Sequence, residues 1–425
     1  MTEANTVSLQ VHSVSSTFKE PEWLLRLRED AWRQFAEFPE PRLEKTNLAK
    51  RGWETGAFVS QTAAIPDSVR TYLSGLNHPY ALFVDGHVVE VKITEELTRQ
   101  GIVFTDIHSA AASNGELVKQ HLASVVKPSD NKWSALSMAL FAGGAFLYVP
   151  RNVQSDVPFE VVHAFTSTAS GTYPRNLVVA DELSDVRLIE VTFAPQEKER
   201  VTSSHVTEVI AKSNSRVHVA AADEFPKGST QFVTRRAQVG KDAVVEWTVS
   251  DVSNGFTVEL VEDVLEGNGA RGQTRVIGLG YGRQHMDLTA SMVHKGRNTE
   301  SDITMHGALR ERANTVFRSC TEIVKGAVGA GSEQHDRMIM IDGTARADAI
   351  PMLLIDENDV NRCGHAASVG KIDPNQIYYL MSRGIPQAQA TQMIIWGYLR
   401  DSVEALPSAP LRDLVVARLE RELSR

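Results

Sequence analysis

Apolar residues along this chain follow three different rhythms. Residues 18–38 place Trp23, Leu24, Leu27, Ala31, Phe35 and Phe38 at helical spacing, with Pro21-Glu22 at the start and Pro39-Glu40-Pro41 as a stop. From Tyr80 to Val91 two β-prone runs flank Asp85-Gly86, the pattern of a two-residue hairpin. Helical character returns over Asn114–Val126, and Asn131–Gly144 carries Trp133, Leu136, Met138, Leu140 and Phe141 before Gly143-Gly144. Residues 1–130 therefore read as a mixed, largely helical N-terminal region.

The second rhythm runs from Ala145 to about Gly370. Short runs rich in Val, Ile, Thr and Phe recur, such as Leu177–Ala180, Arg187–Phe193, Arg216–Ala221, Ala243–Val249 and Thr274–Gly278, separated by Gly, Asn, Asp and Ser. Helix-length amphipathic segments are almost missing, which argues against a doubly wound α/β fold. Asn298-Thr299, Asn314-Thr315, Gly331-Ser332, Asp348-Ala349 and His365-Ala366 fall 16 or 17 residues apart, each opening a coil that continues into an apolar run. Such a period fits a stacked β-solenoid, because each coil buries its apolar face only against the next. A β-sandwich with coincidental spacing is the alternative. The solenoid reading makes residues 131–371 the core and puts Val316, Met338, Ile339, Leu353 and Leu354 largely inside it.

The third rhythm begins at a seam, Asn361–Ile385. Asp373 is placed to cap a helix that Pro374 opens, Gln376 occupies the capping-box position, and Gly384 closes it. A helix over 386–405 is expected to turn Ala390, Met393, Ile394, Gly397 and Tyr398 to one side. A last helix from Pro410 or Leu411 sets Leu411, Leu414, Val415, Leu419 and Leu423 inward and Arg412, Arg418, Glu420 and Arg421 outward. These residues, 372–425, form a C-terminal helical region that either packs on the body or docks a partner.

Composition narrows the function. The chain has 425 residues, 42% of them hydrophobic and 23% charged, as expected of a folded soluble protein. A net charge of −9 without a basic run argues against nucleic acid as the main partner. No apolar run approaches the ~20 residues of a membrane span, and no secretory signal is visible, so a cytoplasmic location is expected. Two cysteines, Cys320 and Cys363, cannot build a disulfide framework or a four-cysteine site. Phosphate-binding, dinucleotide, Gly-x-Ser-x-Gly and His-Glu-x-x-His motifs are all missing. A polysaccharide-cleaving solenoid could use Asp287, Asp302, Asp336 or Asp342, although solvated turn residues explain them as well.

The remaining chemistry is thiol and imidazole: His285, His294, His306, His335, Cys320, Cys363 and His365. These are ligand types that soft metals and iron–sulfur clusters prefer. Cys320 reads as a small buried hydrophobe. Cys363 and His365 are two apart, so on a strand both leave by the same face. Two ligands cannot saturate an iron site, so any such site borrows ligands from a partner.

The residues Asp287, His294, Asn298-Thr299, Ser301-Asp302, Gly307, Leu309, Ala313 and Phe317 carry a resemblance. So, more specifically, do Cys363-Gly364-His365-Ala-Ala-Ser-Val-Gly and Gln376-Ile-Tyr-Tyr-Leu-Met-Ser-Arg-Gly-Ile. The chain resembles the paired SufB/SufD family of the SUF iron–sulfur cluster assembly system. Weaker echoes at Pro21–Trp32, Gly143–Arg151 and Arg175–Glu182 extend the match over nearly the whole chain. The resemblance implies a mainly β protein, with a right-handed parallel β-helix core flanked by helical regions. It implies a non-catalytic subunit that pairs with a SufB-like scaffold and a SufC-like ATPase, or with itself in isolation. His365 matches the family's interface histidine and Cys363 its neighbour. His335, in Glu333-Gln334-His335-Asp336, stands where SufB has its assembly cysteine in Thr-Gln-Cys-Asp. His365-Ala366-Ala367 likewise departs from the His-Glu-Ala of SufB, so both departures favour the SufD branch. No stably bound cofactor is then expected, only a transient cluster at the shared interface near His365, Cys363 and His335. Arg383, Met393, Ile394, Leu411 and Leu414 are the expected partner-binding residues. A stand-alone SufB-like scaffold and a carbohydrate-active solenoid enzyme are the rival readings.

Overall fold

The computed structural model describes residues 3–166, 171–194 and 201–423. Between Ala145 and Lys371 the chain passes back and forth between two sheets, which with three strands preceding Ala145 count ten and eleven strands among the described residues. Consecutive strands of one sheet lie parallel: Glu300 pairs with Gly331 and Gly331 with Arg362, so one coil takes 31 residues there. This is a mainly β protein with a parallel β-solenoid core. The 16–17-residue period of the sequence is thus half a coil. Asn298-Thr299, Asn314-Thr315 and Gly331-Ser332 lie at strand starts, whereas Asp348-Ala349 ends a strand and His365-Ala366 lies within the last one; successive pairs fall on opposite sheets.

The solenoid's interior is filled from both sheets by alternate residues. Val217, Val219, Val245, Trp247 and Val249 occupy it in the middle coils, and Met286, Leu288, Met305, Phe317 and Met338 near the end. Met338 is the one member of the expected interior set that fills this space. Val316 and Ile339 are buried on outward-facing positions beside Asp287 and Ala308 respectively. Leu353 lies over Thr321 on the interior face but is only half-buried, because no further coil covers it, whereas Leu354 lies over Glu322 on the outer face and is 54% exposed.

Local signals place the flanking elements. The hairpin Tyr80–Val84/His87–Lys92 turns at Asp85 and Gly86, both with positive φ (49° and 85°), as a twist-matched two-residue turn requires. The helix Glu22–Glu37 buries Leu24, Arg28, Ala31 and Phe35 against Lys132–Leu140, whose cap is Asn131 accepting from the Trp133 and Ser134 N–H groups. Gly144 lets the chain reach the first coil, since a Cβ there would sit 1.9 Å from the Arg175 carbonyl oxygen.

The C-terminal helices turn back along the outer face of the ten-stranded sheet. Gln387–Glu404 presents Ala390, Ile395, Leu399, Ser402 and Val403 to it, and Ala409–Leu423 presents Leu411, Val415 and Leu419. The stripe expected from periodicity, Met393, Ile394, Gly397 and Tyr398, lies one step round the helix, and Met393 is 47% exposed. Arg418 also departs from expectation. It is buried, donates to the Ala222 and Thr192 carbonyls, and pairs with Glu224. Its alkyl stem is apolar, and carbonyls near the ends of two central strands satisfy the guanidinium. No described helix is long and apolar enough to cross a membrane.

Candidate functional site

The final strand, Arg362–Lys371, lies on Gly331–Met340 and has no strand on its other side. Burial on Gly331–Met340 alternates: Ser332, Gln334, Asp336 and Met338 point inward, while His335 and Arg337 are exposed. The register sets Cys363 over Ser332 and His365 over Gln334. Cys363 and His365 therefore share the inward face of the last coil, as their two-residue spacing requires. His335 projects from the opposite, outer face, so the fold does not gather all three side chains into one cluster. Cys363 is half-buried and His365 exposed, although both face the interior, because the stack ends with them.

The seam beyond this strand forms as its sequence dictates. Asp373 accepts the Asn375 N–H at 2.8 Å, Pro374 opens the helix Pro374–Ser382, and Gly384 takes φ +85°. That helix buries no residue, and Tyr378, Tyr379 and Met381 are 73%, 58% and 45% exposed. Leu354, Ile355 and Val369 on the last two strands are exposed as well. The Arg383 guanidinium lies over the Tyr379 ring, 5.3 Å from its centroid. Among the expected partner-binding residues, Arg383 and Met393 are exposed, Ile394 and Leu414 half-buried, and Leu411 is fully buried in the chain's own core.

The electrostatics of the open end keep the thiol neutral. Burial and the Glu333 carboxylate push Cys363 above its ordinary pKa, so it becomes a ligand only when a bound metal displaces its proton. Burial also raises Asp336, against the pull of the Ser319 hydrogen bond and of His335 and His365. Below the end, a line of hydrogen bonds runs inside the solenoid: Gln334 Nε2 donates to Thr321 Oγ1 (2.7 Å), Thr321 and Ser332 share a bond (2.8 Å), the Ser301 hydroxyl donates to Ser332 (2.9 Å), and Ser301 and His294 Nε2 share another (2.8 Å). Burial lowers His294 to about 4, so its ring is neutral and joins that line as one donor and one acceptor.

Other singled-out residues serve the scaffold. Asp287 receives Arg318 through both oxygens (2.8 and 2.9 Å) and Thr46 besides, fastening the N-terminal segment to the eleven-stranded sheet. His285 is held by Thr46 and Asn314, and His306 by Ser402. Cys320 faces outward beside Ser291, with its thiol raised by burial and Glu322. Asp287, Asp302, Asp336 and Asp342 lie on different faces and gather into no catalytic pair.

Sequence reading missed one charged centre. Arg235 is fully buried among Glu190 (3.0 Å), Asp223 (2.8 Å) and Glu259. One cation cannot neutralise three carboxylates, and burial pushes Glu259 up to about 8 although Arg235 opposes it. The available signal was an arginine at an inward position of an otherwise regular strand, Thr230–Val239. Among the described residues no three His, Cys, Asp or Glu side chains stand together as a metal site.

Comparison with known proteins follows the same geometry. The family model of the SUF system FeS cluster assembly SufBD core domain matches residues 163–398, and that of the SufBD N-terminal region matches residues 18–161. Iron-sulfur cluster assembly protein SufD of Bacillus subtilis is 34% identical, with 97% of this chain and 96% of that protein covered. Iron-sulfur cluster assembly protein SufB of the same organism is 30% identical, covering 93% and 89%. A SufBD family protein of Staphylococcus saprophyticus matches at 30% over the same shares.

Proposed function

This chain belongs to the SufBD family of iron–sulfur cluster assembly proteins, and from that premise we propose that it is the SufD-like member of a cluster-building complex. The observation that carries the reading is the open end of the solenoid, where a last strand with one open edge presents Cys363 and His365 on one face. A strand edge of ten residues left unpaired invites another chain. The occupant fitting this family is a SufB-like scaffold, whose own ligands complete an iron site that His365 and Cys363 begin. His335 in place of an assembly cysteine supports the SufD side of the family, as does the match to a named SufD. The chain contributes ligands and a surface and catalyses nothing itself.

Exposed Met393 and Tyr398 with half-buried Ile394 between them, together with Arg383 and the tyrosines of Pro374–Ser382, are the proposed docking surface for a SufC-like ATPase. Leu411 is withdrawn from that surface because it is core. Nucleotide-driven movement of the ATPase would then pull on the helix that follows the open strand directly, and so reshape the assembly site.

His365→Ala tests the reading. The residue is exposed, so its removal should leave stability within about 0.5 kcal/mol. The variant should still co-purify with both partners and fail to support cluster assembly in a strain lacking its own copy. Full complementation would remove the reading. Clusters assembled on the isolated chain would instead favour a stand-alone scaffold.

A further inference from the structure

Two acceptor atoms beneath the open end have no donor. Asp336, 1% exposed, receives the Ser319 hydroxyl on Oδ2 at 2.6 Å, while its Oδ1 is buried without a partner. Gln334 donates through Nε2 to Thr321 (2.7 Å) and to the Met352 carbonyl (3.1 Å), leaving Oε1 in the same state. A buried acceptor left unpaired costs about 1–3 kcal/mol, so an Asp kept in this condition calls for a reason beyond packing.

His365 stands over these atoms. Its register neighbour is Gln334, and Asp336 follows two residues on along the same inward face. With parallel strands about 4.8 Å apart and a rise of about 3.3 Å per residue, the two positions lie roughly 8 Å apart, within reach of two long side chains. The residue paired with Asp336 on the last strand is Ala367, whose methyl group leaves the line between carboxylate and imidazole uncrowded. A carboxylate is a stronger acceptor for an imidazole N–H than the neighbouring amide oxygen.

Resting on the reading of His365 given above, we propose that Asp336 is the positioning residue of His365. Its free Oδ1 accepts the N–H of one ring nitrogen. The other nitrogen is thereby held unprotonated and aimed out of the open end, toward the iron of a growing cluster. Metal-ligating histidines use such a carboxylate to fix tautomer and ring orientation, and losing it weakens metal handling about 10- to 100-fold. The bond needs only a turn of an exposed side chain, and it pairs the orphaned oxygen.

The experiment uses the full chain co-purified with SufB-like and SufC-like partners. Asp336→Asn keeps the shape of the side chain and the Ser319 bond. The variant complex should form with unchanged stoichiometry and melting temperature, and its reconstituted cluster content should fall about 10-fold. Added to His365→Ala, the same substitution should lower cluster content no further, because the carboxylate acts only through the ring. In the wild-type full chain labelled with ¹⁵N-histidine, the His365 ring should show one hydrogen-bonded N–H that Asp336→Asn abolishes. Normal cluster content in Asp336→Asn, an additive loss in the double variant, or a wild-type ring without that hydrogen bond would each overturn the proposal. The ring measurement on wild type decides the matter even if the variant unfolds. All three outcomes leave His365 in its role, whereas full activity of His365→Ala removes the reading on which the proposal rests.

Discussion

At its first coils the solenoid meets an antiparallel hairpin, a second antiparallel strand and a layer of helices; at its last coil Arg362–Lys371 and Met352–Ile355 meet solvent. The first end is also fastened by buried charge. Arg28 holds Glu20 through two nitrogens (2.6 and 2.7 Å), donates to the Ala139 and Phe141 carbonyls and lies over the Phe141 ring. Arg175 likewise grips Glu208, which accepts the Ala123, Val125 and Val126 N–H groups. The last end has no comparable fastening: of its strand's ten residues only Cys363 and Gly364 are even half-buried. Solenoids need caps because a terminal coil otherwise leaves its apolar face and strand edge uncovered. The chain thus concentrates its buried fastening at the first end, and the proposed function puts association at the second.

The largest expected effect is at the capped end. Arg28→Ala strands Glu20 and two carbonyls in the core and should cost about 3–5 kcal/mol in urea unfolding. A loss below 1 kcal/mol would break the assignment of stability to this end.

Acid should separate the ends next. Burial alone would raise Glu20, but Arg28 and His108 hold it at about 2, below its usual 4.5. A depressed carboxylate contributes stability that is complete above its unfolded value and is lost as pH falls toward the folded one. Hydrogen exchange in Glu22–Glu37 should therefore accelerate between about pH 4.5 and 2. Glu20→Gln should already be destabilised at neutral pH and should lose this pH dependence.

Val369→Asp tests the bare end. Val369 is 39% exposed, so stability should stay within about 0.5 kcal/mol while capture of a SufB-like partner falls at least tenfold. Unfolding of this variant would mean that the end is core rather than interface. The smallest effect is expected at Met393→Asp, on the helix face turned from the sheet. It should leave folding and SufB-like pairing unchanged and weaken only retention of a SufC-like ATPase.

The sequence by itself determined a good deal of this. Short β-prone runs between Gly- and Asn-rich turns, recurring every 16–17 residues, favoured a solenoid over a sandwich, while Asp85-Gly86 specified its hairpin and Asp373-Pro374 with Gly384 specified the seam helix, because these turn and cap signals act over a few residues. The two-residue spacing of Cys363 and His365 fixed their common face for the same reason. Tertiary structure decided what depends on a second strand. The 16–17-residue period could not show that a coil contains two strands, since alternation between sheets is a long-range pairing. Helical periodicity could not choose between the adjacent stripes of Gln387–Glu404, because the sheet beneath selects the buried one. His335 left the cluster of Cys363 and His365 because an odd spacing from Gln334 and Asp336 turns it outward, a matter of register. Arg418 read as a surface charge, and nothing in the sequence singled out Arg28 or Arg235, until the fold set carboxylates and carbonyls around them. Burial of charge is a property of three-dimensional neighbours, which composition and spacing along a chain do not contain.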